Sequence, residues 1–171
     1  MGNDSGGRPL VKIGVWALAI VLAAWSAAAQ QHEAARVAYT AVQASQENRE
    51  EPHFDPALGD TRNAIDHLGY DTYRYITSGS IHADYGQEAE LELTNRYTLH
   101  VTPLSQERDG RVRAEIRVTK ERDERDEDGN PIEVNALRTT SRLVPGDELC
   151  LGAFDLDEGD LVIVLVVGAD G

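Results

Sequence analysis

Glu124, Asp126 and Asp128 stand at alternate positions ahead of Gly129. In a calcium loop that spacing turns successive carboxylates toward one hard cation, and the glycine permits the sharp turn. The pattern departs from such a loop at several places. Glu124 fills the first position, where aspartate is usual, Pro131 stiffens the middle, and Asn135 fills the last, where a bidentate carboxylate closes the shell; Arg122 and Arg125 oppose a cation. The same residues read equally as a solvated acidic hairpin loop whose charge keeps neighbouring strands from aggregating. Asp155, Asp157 and Asp160 make a second acidic group. Calcium is therefore the one cofactor the sequence brings into view, with Glu124, Asp126 and Asp128 as its ligands.

The histidines, His32, His53, His67, His82 and His100, never fall at a metal-binding spacing such as His-x-x-x-His. His82 and Asp84 lie beside Tyr85, a polar cluster on which a small exported hydrolase could be built. The chain has no Gly-x-Ser-x-Gly elbow, phosphate-binding glycine loop or cysteine pair. Cys150 has no second cysteine to pair with, so no disulfide within the chain staples the fold and Cys150 reads as a small buried hydrophobe. No catalytic residue is assigned on these grounds.

Residues 13–29 form an uncharged apolar run preceded by Arg8 and Lys12 and followed by Glu33. Its length lies at the short edge of the ~17–25 residues needed to span a bilayer as a helix. The small residues Ala27, Ala28 and Ala29 suit a signal-peptidase site, and Trp16 and Trp25 suit membrane interfaces. The run thus reads as a cleavable signal or as a signal anchor, and either places the rest of the chain outside the cytoplasm, periplasmic or held at the inner membrane. The chain carries a net charge of −14. Phosphate backbones need a basic surface, so this charge excludes nucleic acid as a natural partner.

After that run, residues 32–48 predict an amphipathic helix, with Ala34, Ala38, Ala41 and Ala44 near one stripe and no Gly or Pro to interrupt it. Residues 48–60 read as a linker. Asp60 is placed to cap a short helix carrying Ala64, Ile65 and Leu68, and Gly69 to end it. From Tyr70 the period becomes two. Ala89, Leu91 and Leu93 alternate with Glu88, Glu90 and Glu92; Val112, Ala114, Ile116 and Val118 alternate with Arg111, Arg113, Glu115 and Arg117. Residues 161–167 are apolar on both faces and predict a central strand. The expected organisation is a signal or anchor over 1–29, a helical stalk and linker over 30–69, a β-domain over 70–168 and a tail over 169–171. The expected fold is mainly β: a small antiparallel sandwich or partly open barrel behind a hydrophobic helix and a short amphipathic one.

Tyr97-x-Leu99-x-Val101-x-Pro103, Val112 through Val118, Arg138-Thr139-Thr140-Ser141 and Pro145-Gly146-Asp147-x-Leu149-x-Leu151-Gly152 together resemble the β-rich core of bacterial secretins. The resemblance covers residues 97–167 and implies a β-rich fold in a cell-envelope setting. It does not carry over a pore, because Ala153 stands where the pattern has a second glycine and the stretch is too short to build one. The expected function is a non-enzymatic envelope protein whose acidic β-domain binds a protein partner. A small hydrolase using His82, or a calcium-binding β-domain, is the alternative.

Overall fold

The computed structural model describes residues 34–169. The expected hydrophobic helix over 13–29 lies outside them. Among the described residues no helix is long and apolar enough to cross a membrane.

Among the described residues nine strands form two sheets. They are β1 (Ala34–Ser45), β2 (His53–Phe54), β3 (Thr72–Asp84), β4 (Ala89–Glu92), β5 (Tyr97–Gln106), β6 (Val112–Arg125), β7 (Pro131–Leu143), β8 (Glu148–Asp155) and β9 (Asp160–Ala169). One sheet runs β2-β3-β1-β9-β8 and the other β4-β5-β6-β7. Every neighbouring pair is antiparallel except the short β2–β3 contact. Alternate residues of β1 and β9 share one core with alternate residues of β5 and β6: Val37, Ala41, Ile163 and Leu165 from the first sheet, Leu99, Val101, Ile116 and Val118 from the second.

The helix expected over residues 32–48 is corrected by β1, a twelve-residue strand at the centre of its sheet between β3 and β9. Its odd positions, Ala35, Val37 and Ala41, enter the shared core, while Val42 and Ala44 enter a second core on the outer face. Toward its end, at Ala41, Val42 and Ala44, both faces are buried, which erases the polar alternation that marks a half-buried strand, and in its first half only Arg36 is exposed. Small alanines then left a pattern that fits a helical stripe as well. Pairing to two neighbours overrides the helix propensity of alanine, which is worth only a few tenths of a kcal/mol per residue.

Residues 56–68 form short helical turns that lay Leu58 and Ile65 over Val42, Ala44, Tyr73, Val162 and Val164. This cover is why β9 is apolar on both faces, and β9 lies between β1 and β8 as the sequence predicts. Gly69, at φ +81°, ends the segment as expected. Asp55, instead of Asp60, caps its start by accepting from the Ala57 amide at 2.9 Å. Phe54 stacks on Tyr73 with ring centroids 4.6 Å apart, pinning the segment's entrance. The Cys150 thiol donates to the Ala64 carbonyl at 3.0 Å, and burial pushes its pKa up.

Candidate functional site

Alternation along β5 sends Leu99 and Val101 inward and His100 to the outer face of the four-stranded sheet, where it registers with Glu90 on β4 and Arg117 on β6. An outward histidine should be wet, yet His100 is only 5% exposed. Its Nδ1 lies 3.2 Å from Glu88 Oε1 and its Nε2 lies 3.1 Å from Thr119 Oγ1. Arg117 donates from Nη2 to both Glu88 oxygens, at 3.0 and 2.9 Å. Thr119, 3% exposed, follows a register shift between Val118 and Thr119 in the β6–β7 ladder, the kind of bulge that re-aims a side chain. The hydrogen bond from Arg117 holds the Glu88 carboxyl below the usual glutamate range.

Hydroxyl, imidazole and carboxylate in that order can in principle activate a nucleophile. Two features oppose it here. The cleft beside Thr119 measures about 180 Å³, against roughly 300–1,000 Å³ for small-molecule sites. Glu90, Glu92, Glu121 and Glu133 line it. Attack on a carbonyl builds negative charge that needs donors around it, and although Arg96 and Asn95 also line the cleft, four carboxylates outnumber the single guanidinium and set the opposite field. The network instead satisfies both nitrogens of a buried imidazole and ties β4, β5 and β6 together, since an unpaired buried polar group would cost about 1–3 kcal/mol.

Acid should weaken this tie. Glu88 has a lower pKa folded than unfolded, so its stabilisation is full above the unfolded value, near 4–4.5, and is lost as pH falls through the folded one. Asp71 and Asp126 share the direction, the first through the Glu47 amide and the second through the Asn130 amide. Urea midpoints between about pH 6 and pH 3 should therefore fall for the wild type and fall less steeply for Glu88→Gln. Parallel slopes would remove Glu88 from the account.

Of the residues that the sequence offers as calcium ligands, Asp126 is engaged by its own turn. Its Oδ1 accepts from the amides of Asp128 at 3.0 Å and Asn130 at 2.7 Å, and its Oδ2 accepts from Asn130 Nδ2 at 3.2 Å. Glu124 and Asp128 are exposed at the hairpin tip. Among the described residues no three His, Cys, Asp or Glu side chains gather into a group that could hold a metal ion. Asp157 and Asp160 diverge: Asp157 faces Arg96 at 3.5 Å, and Asp160 accepts from the Tyr70 hydroxyl at 2.8 Å. His82 and Asp84 are both exposed on β3, whereas Tyr85 packs against the shared core. The residues that do meet, Glu88, His100, Arg117 and Thr119, are spread over 32 positions of sequence and only the strand register joins them.

The other end of this sheet carries a different feature. β7, 13 residues long, is the terminal strand. Its outward positions Arg138, Thr140 and Arg142 register with Arg117, Glu115 and Arg113 on β6. Arg138 pairs with Glu115 at 2.8 Å and Arg142 with Glu107 at 2.7 Å, yet their side chains remain 65% and 67% exposed. On this face the glutamates of β4 therefore stand at one end of the sheet and Arg138 and Arg142, in the C-terminal half of β7, at the other, with Glu133 adding negative charge near the start of β7. Comparison of the chain with protein families, with curated proteins and with solved structures finds no match.

Proposed function

We propose that the chain is a non-enzymatic cell-envelope protein, exported or held at the membrane by residues 13–29, whose acidic β-sandwich acts as a protein-interaction or assembly module. One observation carries the reading: among the described residues β7 is paired on one side only, over a length well beyond an average strand of ~5–6 residues. Such an edge is a row of backbone donors and acceptors that an extended segment of another chain can extend. Arg138, Arg142 and Pro131 on the same strand are of the types that blunt indiscriminate pairing. The secretin-like pattern suits the envelope setting without adding a pore.

A crosslinking pull-down from intact cells should recover a stoichiometric protein partner. Recovery of none, together with ester, peptide or glycan turnover that His82→Ala abolishes, would overturn the reading in favour of a hydrolase. A reporter that is active only outside the cytoplasm, fused after Gly171, tests the location independently.

A further inference from the structure

Resting on the interaction-module reading, we propose that the partner of the β7 edge is the β4 edge of a second copy of this chain, so that copies add head to tail through their four-stranded sheets. β4 and β7 are the two ends of one sheet, β4-β5-β6-β7. Registers fix which side chains share a face. Glu90 and Glu92 lie opposite His100 and Thr98, on the outer face with Arg138, Thr140 and Arg142; Ala89 and Leu91 lie opposite Val101 and Leu99, on the inner face with Leu137, Thr139 and Ser141.

Between copies of this four-stranded sheet, β4 and β7 allow three edge pairings, and charge separates them. Antiparallel β7 on β7 about Thr140 sets Arg138 against Arg142. Pairing of β4 with β4 sets glutamate against glutamate. Like charges directly opposite each other destabilise a ladder, and opposite charges stabilise it by roughly 0.2–1 kcal/mol per pair. Of the three, β4 on the 137–142 half of β7 sets one glutamate directly opposite an arginine on the outer face and the other opposite Thr140, diagonal to the arginines, while matching small and apolar residues on the inner face. The net charge of −14 repels copies at long range, but at physiological salt that repulsion fades beyond about 8 Å, whereas pairs at contact distance keep more of their attraction. β4 has only four residues, and its Glu92 carbonyl already takes a long 3.4 Å contact from the Tyr39 hydroxyl. Each contact is accordingly weak. Its symmetry is heterologous, which generates rings or open filaments instead of closed dimers.

The test uses the full-length chain in intact cells, with a photo-crosslinking amino acid in place of Thr140. A ladder of covalent multimers is expected, because each copy offers both edges, whereas an isologous contact stops at the dimer. Arg138→Glu/Arg142→Glu and Glu90→Arg/Glu92→Arg should each abolish the ladder. Co-expression of the two should restore it, since each then presents the charge that the other lacks. Limited proteolysis checks that both variants stay folded; if one does not, Arg138→Ser/Arg142→Ser or Glu90→Ser/Glu92→Ser replaces it, with a weakened ladder expected. A covalent dimer only, a ladder indifferent to all of these changes, or failure of the mixture to restore it would overturn the proposal. An adduct to a different protein would also overturn it but would leave the interaction-module reading standing. Loss of every adduct at Thr140, with no partner in the pull-down, would remove both.

Discussion

Ile116→Ala should lower the free energy of unfolding by about 2–5 kcal/mol, the range for truncating a fully buried aliphatic side chain whose cavity does not collapse. Ile116 is 0% exposed and belongs to the core shared by the two sheets. It sits mid-strand, opposite Val101 on β5 and Thr139 on β7. Backbone pairing on both sides limits how far β6 can move to fill the space. The control is Arg113→Ala. Arg113 points to the opposite face of the same strand, is exposed, and faces Arg142 directly, so its loss should change stability by no more than about 0.5 kcal/mol. Urea denaturation of both variants decides the matter, and equal losses would contradict the alternation on which the whole sheet assignment rests. Arg117 is a poor control despite sharing that outer face, because it grips the carboxylate above a buried imidazole.

That contrast marks how far a single sequence carries. Strand alternation in β4 and β6 was legible because each has one largely wet face, and the two-sided apolar run at 161–167 announced a central strand. β1 was not legible, because its second half is buried on both faces, its first half exposes only Arg36, and its alanines suit either period. The His100 network was hidden for a different reason. Nothing local distinguishes His100 from Thr98 or Thr102, which share its face, and its burial depends on Glu88, Arg117 and Thr119 arriving by register. The acidic tip at 124–128 shows the reverse case, where local spacing suggests a ligand set but the turn takes the central carboxylate for its own amides. The arginines of β7 were visible as residues, but their place at an unpaired edge required the strand order.

Gly159→Ala should be among the most damaging one-methyl changes in the domain. Gly159 lies in the turn between β8 and β9 at φ +81°, where an L residue costs about 1–2 kcal/mol. Gly129, in the β6–β7 turn at φ +84°, carries the same backbone cost, with nothing within 4 Å of an added Cβ. At Gly159 that Cβ would stand 2.3 Å from the Ala44 carbonyl oxygen and 2.9 Å from Ser45 Cβ. The obstacle is backbone of β1, held by β3 on one side and β9 on the other, so it cannot swing aside as a flexible side chain would. The loss at Gly159 should therefore exceed that at Gly129 by the whole cost of parting the β8–β9 turn from β1, and the two midpoints in urea measure the difference. Similar losses at the two glycines would mean that the turn does not rest on the end of β1. The comparison reaches the element that the sequence disguised, because the steric demand on Gly159 exists only if residues 34–45 run as a strand that brings the Ala44 carbonyl to that turn.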